Sequence, residues 1–192
     1  MNVKSVGLPE DFDSRGLLPP GDYEVSFAEL RESLLVRGPR TPVRHWNAEW
    51  RWYLTTQAEL LVDQLWAVGI QDVYLDGSFV EDKPPPNDID GYFVCDPLPL
   101  TDGSLTRALN LLDPRKVWTW DPRSRAPYRG YTKKQLPMWH AYRVELYPHI
   151  GQGSGIRDRF GHEMQFPAAF RLRRGTDEPK GVVKIRLPPR EP

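Results

Sequence analysis

The stretch Asp76 to Asp90, DGSFVEDKPPPNDID, constrains this chain more than any other. Val73-Tyr74-Leu75 ahead of it is a short apolar run of strand type, and Gly77-Ser78 then turns the chain. Glycine there permits backbone conformations in which successive amides close on an anion. Pro84-Pro85-Pro86 forbids regular structure and stiffens the connection. Beyond it Asp88 and Asp90 stand two apart, so on a strand both side chains leave the same face. These features predict a small sheet with polar chemistry at one end. Paired carboxylates are hard oxygen ligands of the kind Mg²⁺ takes, its shell completed by water and substrate phosphates. A phosphate-gripping turn facing such a pair predicts nucleotide chemistry.

The other elements follow from period and caps. Residues 1 to 25, with Pro9, Pro19-Pro20 and Gly21, predict an irregular lead-in. Ser26 and Glu29 have capping-box spacing and open a short helix to about Val36. Thr41-Pro42 reads as a cap and first helical position, and apolar residues then recur at steps of three and four from Val43 to Trp66. That predicts a long amphipathic helix from about Pro42 to Val68, its aromatic stripe packed on the sheet. Asp88 to Cys95 predicts a second strand with Cys95 on the core side, 104 to 112 a helix, and Val117 to Trp120 a strand. Ala141 to Tyr147 predicts a third sheet strand, with Glu145 on its polar face as a third metal ligand. Gly151, Gly153 and Gly155 predict a loop; FRLRR and KGVVKIRL predict a hairpin or two edge strands.

At 192 residues, 39% hydrophobic and 27% charged, the chain fits one α/β (α+β) domain. Within it, 1–40 form the lead-in, 41–150 the catalytic core and 151–192 a basic C-terminal extension. The expected architecture is a small mixed sheet covered by the long helix. No apolar run approaches the roughly 18 to 20 residues that span a bilayer, no signal peptide is visible, and Cys95 is the one cysteine. A cytoplasmic protein without membrane contact is expected. The four histidines lack metal-ligand spacing, and no nucleophile elbow surrounds Ser78.

Net charge is zero but unevenly spread. The first 112 residues carry 9 Lys and Arg against 18 Asp and Glu, and the rest carry 17 against 8. Either the basic half meets a polyanion or the two halves neutralise each other in the fold. Residues 115 to 139 interleave Arg115, Lys116, Arg123, Arg125, Arg129, Lys133 and Lys134 with Trp118, Trp120, Tyr128, Tyr131 and Trp139, and Arg123, Arg125, Arg129, Lys133 and Lys134 are the candidate nucleic-acid contacts. That pattern suits single-stranded nucleic acid, cations on phosphate and rings on bases. It equally suits a solvated basic loop over an aromatic mini-core.

Strand, Gly77-Ser78, nine residues, Asp88-Ile89-Asp90 and a later acidic strand position together resemble the DNA-polymerase-β-like nucleotidyltransferase superfamily. LPPGDYEVSFAEL, VELYP and KGVVKI, with the central motif, resemble a family of small bacterial predicted nucleotidyltransferases. The third acidic residue is aspartate in most of the superfamily; here it is Glu145, and Gly91 stands where an apolar residue is usual. The resemblance implies a single polymerase-β-like domain. Gly77 and Ser78 would hold the phosphates of an NTP, joined by Lys83. Asp88, Asp90 and Glu145 would be the catalytic ligands of two Mg²⁺ ions, with Mn²⁺ as a substitute. The acceptor would be an RNA or tRNA end in a toxin-antitoxin or phage-defence setting, with an antitoxin or defence-system protein as partner. A protein or small-molecule acceptor, or a catalytically silent nucleotide- or RNA-binding module, are the alternatives.

Overall fold

The computed structural model describes residues 7–41, 43–129 and 132–187. Its centre is a five-stranded mixed sheet: β1 Asp22–Val25, β2 Val73–Asp76, β3 Ile89–Val94, β6 Val144–His149 and β9 Val182–Ile185, in the order β1-β9-β2-β3-β6. β2 runs antiparallel to both β3 and β9, whereas β3–β6 and β1–β9 are parallel. The fold is therefore mixed α+β. Among the described residues no helix is long and apolar enough to cross a membrane.

Strand alternation gives the sheet two different faces. Val73, Leu75, Ile89, Phe93, Val144, Leu146, Val183 and Ile185 point to one side and are buried. Against that side lies α3, Ala48–Ala67, through Leu54, Ala58, Leu61, Val62 and Leu65. Each such leucine, removed from water, contributes roughly 1.5–3 kcal/mol. The aliphatic residues form the fully buried contact; of the aromatic stripe, Trp50 and Trp66 are partly buried against the core, whereas Tyr53 is 42% exposed.

Gly91 shows how closely β2 and β3 approach. A Cβ there would stand 2.3 Å from the Tyr74 carbonyl oxygen and 2.8 Å from a Leu146 methyl. Gly91→Ala is expected to destabilise the protein by about 3 kcal/mol through backbone displacement. A urea titration showing less than about 1 kcal/mol of change would mean that the strands can part without loss.

Several boundaries differ from expectation, each for a local reason. α3 starts after Asn47, whose side chain accepts the Trp50 N–H at 2.9 Å. Trp46 leaves the helix instead, donating to Val36 O at 3.0 Å; the expected first position, Pro42, lies outside the described residues. The helix after the Ser26–Glu29 capping box is split into α1 Phe27–Glu32 and α2 Leu34–Arg37. Ser33 divides them, its hydroxyl donating to Leu30 O and accepting from Leu35 N–H.

Helices α4 Pro97–Thr101 and α5 Ser104–Leu112 follow β3, but no strand forms at 117–120. The Asn110 carboxamide takes both backbone groups of Trp118, standing in for a strand partner. A two-residue ladder pairs β4 Ala126–Pro127 with β5 Lys134–Gln135. Pro137 opens α6, Pro137–Tyr142, so β6 begins at Val144 rather than Ala141. The glycine-rich segment forms the hairpin β7 Gly153–Arg157 and β8 Glu163–Gln165, followed by α7 Phe166–Phe170. Last, β9 is an interior strand, and β1 from the supposedly irregular lead-in is the edge.

Candidate active site

On the second face the register places Asp76 opposite Asp90, and Asp90 opposite Glu145. Three carboxylates thus cross three adjacent strands in one row, with Asp88 just ahead of β3. Further along, Tyr92 stacks on Tyr74 with ring centres 4.6 Å apart and is covered by Phe170 and Phe166 of α7. The carboxylate end is left open. Above it lies a cavity of about 770 Å³ lined by Asp76, Gly77, Ser78, Lys83, Asp88 and Asp90, among others.

Gly77 and Ser78 begin a single 3₁₀ turn, Gly77–Val80. Gly77 has φ +78°, and a Cβ on it would sit 2.7 Å from an Asp90 carboxylate oxygen. The turn backbone therefore rests on Asp90, and only glycine allows both the conformation and the approach. The buried Lys180 ammonium, which also borders the cavity, donates to Gly77 O at 2.9 Å and pairs with Asp76 at 3.2 Å and Glu81 at 3.1 Å. Lys83, expected at the phosphates, lines the cavity but forms an ion pair with Glu81.

Electrostatics set the carboxylates apart. Burial pushes Asp90 up to about 7, and the neighbouring charges of Asp88 and Glu145 add to the rise. No described residue donates a hydrogen bond to it. Asp88 is also raised by burial, opposed by the Trp139 indole N–H, which donates to its Oδ2 at 2.5 Å. Asp76 is pushed up to about 7, burial outweighing the Lys180 charge. In Glu81, burial is overcome by Lys83 and Lys180, which hold the carboxyl below its ordinary range.

Glu145 is placed differently from the two aspartates. Its side chain is buried, accepting from the Leu136 N–H at 2.9 Å and from the Tyr147 hydroxyl, with Arg125 at 3.5 Å. It does not line the cavity. The polar strand face expected there is covered, because α6 and the segment before it fold over it. That engagement also pushes the Tyr147 phenol upward, after burial itself.

The basic aromatic segment separates into parts with different roles. Trp118 and Trp120 pack on Phe93, so these two rings belong to the core. Arg123 is held by its neighbour Asp121 at 2.9 Å, and Arg125 by Tyr147 at 2.8 Å. Arg129 lies over Tyr128 at 5.5 Å, Lys134 is exposed, and Tyr131 lies outside the described residues. Of the five candidate cations only Lys133 lines the cavity.

Arg143, which no sequence motif marks, also lines the cavity. It lies over Trp139 and Tyr128, 4.0 and 4.1 Å from the ring centres, and has φ +58° where α6 ends. A left-handed arginine costs about 1–2 kcal/mol. Asp76, Glu81 and Lys180 carry no expected role in the sequence either, and Trp139, expected to stack on bases, instead holds Asp88. Asp76 was detectable by pairing Val73–Leu75 with the Asp88–Asp90 strand; nothing local marks Lys180.

An α+β fold with carboxylates on the floor of a cation-rimmed cavity defines the general class. Residues 10–186 match the Family of unknown function (DUF6932), and the chain belongs to that family. Neither the curated proteins nor the solved structures contain a match to it.

Proposed function

We propose that this chain is a Mg²⁺-dependent nucleotidyltransferase of polymerase-β-like fold, moving a nucleoside monophosphate from an NTP to an acceptor hydroxyl. The observation that carries this reading is the contact of the Gly77–Ser78 turn with Asp90 at the cavity floor. It brings a backbone suited to phosphate against carboxylates suited to a hard cation. The antiparallel β2–β3 hairpin, with β6 parallel beside it, is consistent with the motif spacing.

Asp88 and Asp90 fit the ion. Their donors are hard oxygens, the Asp90 carboxylate has no hydrogen-bond donor among the described residues, and repulsion between them is relieved by a cation. Among the described residues no group of three or more His, Cys, Asp or Glu side chains forms a metal site. A carboxylate pair completed by water and phosphate oxygens is the arrangement Mg²⁺ favours. When bound, Mg²⁺ lowers the pKa of the acceptor hydroxyl and neutralises the departing pyrophosphate. Gly77 and Ser78 orient the phosphates, Lys133 and Arg143 offset their charge, and Trp139 holds Asp88. Glu145 acts through its charge on Asp90.

The preferred acceptor is an RNA end, with Lys133 at the cavity and Arg129 and Lys134 exposed nearby. A second reading, a silent nucleotide-binding module, draws support from the engaged oxygens of Glu145. Labelled NTPs with Mg²⁺, total RNA and cell extract separate the two. Label is expected in the RNA fraction with wild type and not with Asp88→Ala/Asp90→Ala. Label in protein or in small molecules reassigns the acceptor, and identical behaviour of wild type and variant leaves only the binding module.

A further inference from the structure

The floor of the cavity has a role in the proposed reaction; its opposite wall has none so far. That wall is apolar: Ile156 of β7, Met164 of β8, Ala169 and Phe170 of α7, and Leu172 line it. All come from the C-terminal extension, whose charge drew attention in the sequence. Phe170 is held in place by Tyr92 and Phe166, with ring centres 5.3 and 5.0 Å away. Ile156 is 52% exposed, an aliphatic side chain presented to the cavity rather than to the core. Beside the wall stand Arg173, Arg174 and Thr176.

We infer that this wall receives the heterocyclic base of the donor nucleotide, whose phosphates lie toward Gly77, Asp88 and Asp90. The inference rests on the nucleotidyltransferase reading and adds which segment recognises the intact nucleoside. Two features of the lining argue for it. A polyphosphate alone would match the cations and leave five apolar side chains facing water. A flat, largely apolar base attached to an anionic tail matches both halves. The volume of about 770 Å³ lies within the roughly 300–1,000 Å³ of pockets that enclose whole small ligands. None of the five wall side chains carries a hydrogen-bonding group, so the wall contributes affinity for a base without choosing among bases.

The test is calorimetric titration of the full chain, separately, with Mg·ATP, with Mg·tripolyphosphate and with a short single-stranded RNA. Wild type is expected to bind ATP roughly tenfold to a hundredfold more tightly than tripolyphosphate, the range of base stacking and burial. Ile156→Ser and Leu172→Gln, which leave the Phe166–Phe170–Tyr92 packing intact, are expected to remove that advantage and leave tripolyphosphate binding unchanged. Equal affinity of wild type for the two ligands overturns the inference while leaving the proposed function standing. So does a loss confined to a short single-stranded RNA, which would assign the wall to the acceptor. If neither ligand binds, the nucleotidyltransferase reading falls with it.

Discussion

Replacing Asp90 with asparagine is expected to cut the proposed nucleotidyl transfer by about a thousandfold or more, while making the metal-free protein more stable. The two effects have one cause. Asp90 is a carboxyl with no hydrogen-bond donor among the described residues, pressed against the Gly77 backbone and facing the charges of Asp88 and Glu145. Its folded pKa of about 7 stands above the ordinary 3.8. As pH rises from about 4 to about 7, the unfolded chain gives up this proton and the folded chain retains it. Stability therefore falls across that window and levels off above it. Asp76, also raised to about 7, contributes in the same direction. In EDTA, wild type is expected to melt lower at pH 8 than at pH 5, and Asp90→Asn to flatten the slope. At pH 8 the variant gains on the order of 2 kcal/mol, about 4 to 8 °C in a chain of this size. A variant that melts below wild type at pH 8 would show that Asp90 holds the fold together and is not a strained functional group.

Arg51→Met is expected to destabilise the fold by about 3–5 kcal/mol, because it leaves buried carbonyls without their donor. Arg51 is fully buried in α3, with its pKa lowered by burial to about 9. Its guanidinium donates to Leu35 O at 3.0 Å, Phe79 O at 2.7 Å and Glu81 O at 3.0 Å. It lies 3.8 Å from the Trp46 ring centre. Methionine fills much of the space but leaves three carbonyls without a donor, each worth about 1–3 kcal/mol when buried. Lysine should not rescue the loss, because one ammonium lacks the planar fork that reaches all three. Urea unfolding measures the effect. Since two of the carbonyls belong to the Gly77–Glu81 region, nucleotide affinity is expected to weaken together with stability. An Arg51→Met protein within about 1 kcal/mol of wild type would remove the clamp from the account.

The central hairpin was readable because its determinants are local. A turn glycine, a proline run and two carboxylates at strand spacing lie within fifteen residues. The capping box at Ser26 was readable for the same reason. What escaped depends on partners distant in sequence. Asn110 supplies the hydrogen bonds that Trp118 would otherwise seek in a strand. Ser33 can continue or interrupt a helix, and the choice follows from how Leu34, Leu35 and Val36 are buried. Glu145 shows the limit of alternation as a guide. Period two placed it on the correct face, but Leu136 and Tyr147 then determined where its oxygens went. For Lys180, nothing nearby distinguishes a buried lysine between two carboxylates from an exposed one; only the interior position of β9 does.

That interior position governs the order in which the molecule can assemble. β1 has β9 as its sheet neighbour, and the outer edge of β2 is closed by β9 as well. Of the five strands, β9 is the last to leave the ribosome, so β1 stays unpaired until residues 182–185 have emerged. Contacts of such long sequence separation form slowly. Lys180, two residues before β9, arrives with it. A nascent chain can thus form the Asp88–Asp90 hairpin early, but the support for the Gly77–Ser78 turn comes with the closing of the sheet. Synthesis itself separates having the carboxylates from having the cavity they floor.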